Sequence, residues 1–149
     1  VRKNLRERVL KLNNEESKKV LFFQQITGAA VRDFVENEEQ IAVVVANGDI
    51  GKAVGKNGRN IGSIERTTRK RVWFIEYSDD LQRFVENIFF PTKLKAERKD
   101  DEVIIGIESK NKKFIIGKGG SKIKLARQLL DRHFGIKNIK VNEMSNPLV

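Results

Sequence analysis

A short loop occurs twice in this chain and constrains everything around it. Ala53-Val54-Gly55-Lys56-Asn57-Gly58-Arg59-Asn60-Ile61 is an apolar pair, a glycine-bounded turn and a stretch able to open a helix. Ile115-Ile116-Gly117-Lys118-Gly119-Gly120-Ser121-Lys122-Ile123 repeats that form. A repeat of roughly 60 residues predicts two small units of like architecture. A unit that short buries little surface by itself, so the two are expected to dock rigidly.

The residues between the loops follow one pattern twice. In the first half, Asn14 is expected to cap a helix that ends at Thr27-Gly28. Strands are expected over 31–36 and 40–46, the second a nearly continuous β-branched run suited to a well-covered central position. Asp49 is expected to cap a short helix over 50–54 that leads into the loop. A longer helix from Arg59 to about Arg69 and a strand over 72–77 complete the unit. In the second half, Ser78-Asp79-Asp80 caps a helix carrying Leu81, Phe84, Val85 and Ile88, closed by Phe89-Phe90-Pro91. Strands over 93–98 and 102–108, a short helix capped by Ser109, a helix over 121–134 and a strand over 137–142 reproduce the order. The division predicted is a basic arm (1–14), two units (15–77 and 78–142) and a tail (143–149).

The loop has a direct physical use. Glycine permits left-handed backbone angles and lets a ligand approach closely. The helix that follows directs its free N–H groups and dipole at whatever lies there, which makes a receptor for phosphate. The candidate residues are the backbone of Gly55, Gly58, Gly117, Gly119, Gly120 and Ser121, with the side chains of Lys56, Asn57, Arg59, Lys118 and Lys122. Lys52 and Lys113 stand on the approach to each loop. Ala53, Val54, Ile61 and Ile64, and in the second unit Ile115, Ile116 and Ile123, would supply an apolar floor. Lys70 and Arg71 extend the positive run of the first unit. Trp73, Phe74 and Tyr77 read as packing residues of an alternating strand.

Charge points to the same class of ligand. The chain carries 30 Lys and Arg against 20 Asp and Glu, a net charge of +10. The acids gather away from the loops, at Glu36-Glu38-Glu39, Asp79-Asp80 and Asp100-Asp101-Glu102. Segregated positive charge suits nucleic acid. The absence of cysteine excludes disulfides, thiolate metal sites and cysteine nucleophiles, and a single histidine, His133, excludes a multi-histidine metal site. No apolar run approaches the length of a spanning helix, and a cytoplasmic location is expected.

Helix–strand–strand–helix–loop–helix–strand around a G-x-x-G turn resembles the KH fold in its type II, prokaryotic, arrangement. That fold clamps single-stranded nucleic acid with the loop. Further stretches make the resemblance more specific. They are Leu21-Phe22-Phe23-Gln24-Gln25-Ile26-Thr27-Gly28, Gly48-Asp49-Ile50-Gly51-Lys52 running into the first loop, Glu76-Tyr77-Ser78-Asp79-Asp80, and Lys122-Ile123-Lys124-Leu125-Ala126-Arg127 with His133-Phe134-Gly135-Ile136. Together they resemble the archaeal NusA-like transcription factors over about residues 15–141. The resemblance implies an α+β chain of two tandem type II KH domains, each a three-stranded mixed sheet covered on one face by helices. It implies single-stranded RNA, the nascent transcript, as partner, with RNA polymerase as a further one. The expected role is in transcription elongation, termination or antitermination, with no cofactor, membrane or small-molecule substrate.

Three other readings compete. KH pairs also serve in the ribosome and in RNA processing. A nucleotide-binding enzyme would need Gly-x-x-x-x-Gly-Lys-Ser/Thr, but Ile50 and Lys112 stand where its first glycine belongs. A protein-interaction module using the sheet face leaves two basic glycine loops unexplained.

Overall fold

The computed structural model describes residues 14–144, which divide between Tyr77 and Ser78 into two compact units. Apart from Asn14, the expected basic arm lies outside the described residues; so does the expected tail, apart from Glu143 and Met144.

The first unit runs α1 (Asn14–Thr27), β1 (Val31–Glu36), β2 (Gln40–Val45), α2 (Ile50–Val54), α3 (Arg59–Thr68) and β3 (Arg71–Glu76). Asn14 is the first helical residue, with Glu15 and Glu16 in the opening turn where the helix dipole favours acids. The helix ends as Thr27 folds its hydroxyl back. Its Oγ1 donates to the Phe23 carbonyl at 2.7 Å and accepts from the Ala29 N–H at 3.0 Å. β1 and β2 pair antiparallel, with a shift in register between Val31 and Asp33. β3 joins β2 in parallel, from Gln40 opposite Arg71 to Val45 opposite Glu76. A parallel pair requires a crossover connection, and α2, the loop and α3 provide it. The glycine loop therefore lies within a connection whose two ends the sheet fixes.

The core of this unit gathers Val20 and Phe23 of α1, Phe34 of β1, Ile41, Val43 and Val45 of β2, Ala53 of α2 and Ile64 of α3. The rings of Phe23 and Phe34 meet edge to face with centroids 5.6 Å apart, a favourable aromatic geometry. Ala42 and Val44, on the opposite side of β2, are buried as well. The β-branched run is thus covered through its length, which accounts for the lack of polar alternation in its sequence.

Asp49 does not cap α2 with its side chain. Its carboxylate accepts the Ala30 N–H at 2.8 Å and so ties the start of the crossover to the start of β1. The carboxylate is better used there, because α2 is a short helix whose position matters more than its isolated stability.

The second unit repeats the order: α4 (Leu81–Ile88), β4 (Lys95–Lys99), β5 (Glu102–Ile107), α5 (Lys112–Ile116), α6 (Ser121–Phe134) and β6 (Asn138–Glu143). β4 and β5 are antiparallel, and β6 lies parallel to β5. Asp80 caps α4 as expected, accepting the Arg83 N–H at 2.9 Å. Gln82 stitches that helix to the sheet edge: its Oε1 accepts from the Ala96 N–H at 2.6 Å and its amide donates to the Leu94 carbonyl at 3.3 Å. Ser109 opens a turn of 3₁₀ helix over Ser109–Asn111, and α5 begins after it without a side-chain cap. α6 buries Leu125, Ala126, Leu129, Leu130 and His133 and stops at Gly135. His133 packs edge to face on Phe84, with ring centroids 5.9 Å apart. Glu143 belongs to β6 rather than to a tail, and the Met144 N–H continues the ladder to the Ile107 carbonyl at 2.7 Å.

Candidate nucleic-acid interface

The two loops have nearly one backbone. Gly55 and Gly117 both sit at φ 77°, ψ 169°. Asn57 and Gly119 follow in the left-handed region, at φ 57° and 63°. Gly58 and Gly120 then open α3 and α6 from left-handed angles, at φ 73° and 78°. Each loop is closed by one internal bond, Gly58 N–H to the Gly55 carbonyl at 3.2 Å and Gly120 N–H to the Gly117 carbonyl at 3.1 Å.

The first glycine of each loop is required by crowding as well as by angle. A Cβ on Gly117 would lie 2.7 Å from the Lys122 Cβ and 2.9 Å from its backbone nitrogen. On Gly55 it would lie 2.8 Å from the Asn60 side-chain nitrogen. That amide donates to the Lys52 carbonyl at 3.1 Å and holds α3 against α2. No side chain caps α3 or α6. Their first-turn amides and the positive ends of their dipoles are presented at the loop.

The candidate residues separate by burial. Lys52, Lys56, Asn57, Arg59, Lys113, Lys118 and Gly119 are exposed, and Gly55, Gly58, Gly117, Gly120, Ser121 and Lys122 are half-buried. Val54, Ile61, Ile116 and Ile123 are half-buried too and can offer apolar surface. Ala53, Ile64 and Ile115 cannot, since all three are 0% exposed. They carry the loops from beneath, each on the buried face of its helix. Tyr77 is buried under the Arg32 guanidinium, which stands 3.9 Å from the ring centroid.

Lys70 leaves the basic face. Its ammonium donates to Glu36 Oε1 at 2.6 Å and to the Asn37 carbonyl at 2.8 Å. Lys19 bonds the other Glu36 oxygen. Burial of Glu36 opposes its ionisation, but the two lysines outweigh burial and hold the carboxyl below its ordinary range.

In the second unit an open cleft of about 560 Å³ runs between α5, the loop and the end of β6. Lys112, Lys113, Ile116, Gly117, Lys118 and Glu143 line it. Lys113, Ile116, Gly117 and Lys118 are therefore brought together as expected from their spacing. Lys112 and Glu143 are additions, paired across the cleft at 3.2 Å. Their meeting depends on the parallel register of β6 on β5, which no local pattern reveals. Glu143 occupies the place of Glu76 in the first unit, where the carboxylate accepts the Gly48 N–H at 2.8 Å. Lys122 does not line the cleft. Its ammonium stands 3.7 Å from the centroid of the Phe114 ring.

The KH domain family matches this sequence twice, over residues 19–86 and 80–144.

The chain belongs to the KH-domain family.

Curated proteins match most of this chain. A Methanocaldococcus jannaschii protein named "Probable transcription termination protein NusA" is 38% identical over 137 residues, spanning 89% of this chain and 75% of its own. Its namesake from Methanococcus vannielii is also 38% identical, spanning 89% and 79%. One from Thermoplasma acidophilum is 27% identical, spanning 89% and 95%. The crystal structure of APE1850 superposes with a TM-score of 0.73 at 29% identity, covering 88% of this chain and all of that one. These likenesses place the chain in the NusA-like group of archaeal tandem KH proteins.

Proposed function

We propose that each KH unit holds about four nucleotides of single-stranded RNA, with phosphates over the 55–58 and 117–120 loops. The protein is an RNA-binding factor of the NusA-like class, and the duplicated loop geometry is the observation that carries this reading. Two uncapped helix N-termini, each behind a left-handed turn with a lysine inside it, are suited to anionic backbone. Val54 and Ile61, and Ile116 and Ile123, offer apolar surface to the bases. Lys52, Lys56, Arg59, Lys113 and Lys118 add an attraction that is blind to sequence and weakened by salt.

The role proposed is retention of the nascent transcript during elongation and termination, in keeping with the relatives' name. Binding is the whole of the proposed activity; catalysis is no part of it. RNA polymerase is the proposed neighbour, and co-purification with polymerase rather than with ribosomal subunits separates this role from one in the ribosome. The direct test replaces Lys56, Asn57, Lys118 and Gly119 by Asp. RNA binding in a gel-shift titration is expected to vanish while the thermal melt is retained. Unchanged affinity would sink the reading.

A further inference from the structure

Phe90 and Phe114 are the two most exposed phenylalanines among the described residues, at 77% and 47%. Phe90 follows the buried Phe89 at the end of α4, and Phe114 lies on α5 just ahead of the second loop. Pro91 and Phe114 border one open cleft with Lys93 and Lys110. The Lys122 ammonium stands 3.7 Å from the Phe114 centroid and 5.9 Å from that of Phe89. Lys110 is paired with Glu108 at 3.3 Å, the one acid on this cleft.

The first unit serves as an internal comparison. The offset that carries Gly55 onto Gly117 carries Gly28 onto Phe90, Lys52 onto Phe114 and Asn60 onto Lys122. A Cβ on Gly28 would lie 3.7 Å from the Lys52 stem, so Gly28 and Lys52 are neighbours in the first unit, and in the second unit Pro91, next to Phe90, borders the same cleft as Phe114. These positions hold glycine, lysine and asparagine in the first copy and two phenylalanines and a lysine in the second, so the second copy adds two aromatic rings beside one lysine. Neither phenyl ring is needed to build the fold, since the first unit builds it with glycine and lysine. Exposed aromatic rings set among lysines match the composition of surfaces on which bases of a single strand stack. The face is continuous with the phosphate loop, because Lys122 packs against Gly117 at its base.

We propose that Phe90 and Phe114 form a base-stacking platform on the second unit, taking nucleobases of the RNA beyond the stretch held at the 117–120 loop. The platform lies on the side of α5 away from the cleft that Lys113 and Ile116 line, so it engages only a strand long enough to pass the loop. The proposal rests on the RNA-binding reading above, and the test separates the two.

The full chain and its F90A/F114A variant are titrated by fluorescence anisotropy with labelled RNAs of about four nucleotides and of about three times that length. The short RNA is expected to bind both proteins alike, and the long RNA to bind the variant about tenfold or more weakly. Phe114→Tyr, which keeps a stacking face, should retain the long-RNA affinity, and Phe114→Leu, equally apolar, should not. This pair reads stacking even where the double variant melts early. Equal affinity of wild type and F90A/F114A for the long RNA overturns the platform and leaves the loop reading intact. Absence of RNA binding by the wild-type chain overturns both. Loss of polymerase co-purification by F90A/F114A with unchanged RNA affinity assigns the face to a protein and overturns the proposal.

Discussion

Lys122 shows how one residue's setting changes what its charge does. By type it belongs with the other lysines of the loop face, but burial pushes its ammonium down to about 8. The electron-rich face of Phe114 favours the charged form and partly offsets that burial. Below about pH 8 the folded chain carries this charge, and above it the charge is lost first here, while ordinary lysines keep theirs. RNA affinity is therefore expected to weaken between pH 7 and pH 9. Because this ammonium sits over Phe114 and outside the cleft, the slope of log K against log salt should shrink by less than about 0.7, the share of one phosphate contact on a single strand. Salt titrations at the two pH values check it. Folding stability moves the other way: the unfolded lysine holds its proton to higher pH, so burial costs less as pH rises through 8. Gly117 makes a second residue-scale case. Its φ of 77° and the 2.9 Å approach to the Lys122 nitrogen leave no room for a methyl group. Gly117→Ala is expected to cost about 1–3 kcal/mol in chemical denaturation and to weaken RNA binding with it.

At the scale of elements, the crossovers matter more than the sheets. β2 and β3, and β5 and β6, fix the two ends of each connection by parallel pairing, and the loop geometry follows. The ion cluster of Glu36 with Lys19 and Lys70 joins α1, β1 and the turn between α3 and β3. Because the folded carboxyl titrates below its unfolded value, its contribution is present above about pH 4.5 and is lost as pH falls through the lower folded value. Glu36→Gln should lower the melting temperature at pH 7, with the difference closing as pH falls below 4.5 and through the lower folded value. Ile64 is another element-scale position, joining α3 to the sheet. Ile64→Ala is expected to destabilise the first unit by about 2–5 kcal/mol, read by denaturant unfolding, without the specific loss of RNA contact that a groove residue would give.

For the whole molecule, the proposed reading puts two RNA sites on one chain. On that reading the second site would meet its RNA at the effective concentration set by the first, and avidity would exceed either site by about 10² to 10⁴. Asp substitution in a single loop, at Lys56 and Asn57 or at Lys118 and Gly119, should therefore remove most of the affinity for an RNA long enough to span both sites. For an RNA that fills only one site the same variants should lose far less. Paired titrations with long and short RNAs decide both points.

The sequence by itself determined the element order, the doubling and the glycine-bounded turn, because these depend on local signals: glycine at left-handed positions, β-branched runs and helix-ending residues. It resolved most element ends to within a residue or two. Tertiary structure decided what each side chain of the loop face is used for. Ala53, Ile64 and Ile115 face the sheet and are lost to the ligand. Lys70 is drawn to Glu36, Asp49 to the Ala30 amide, and Lys112 across the cleft to Glu143. Each of these pairings joins residues far apart in sequence and brought together by strand register, and a local pattern of charge or hydrophobicity carries no record of register. Phe114 is the clearest case. In the sequence it is one more apolar residue before a glycine loop; its exposure beneath Lys122, compared with Lys52 in the first unit, is legible only in the tertiary structure.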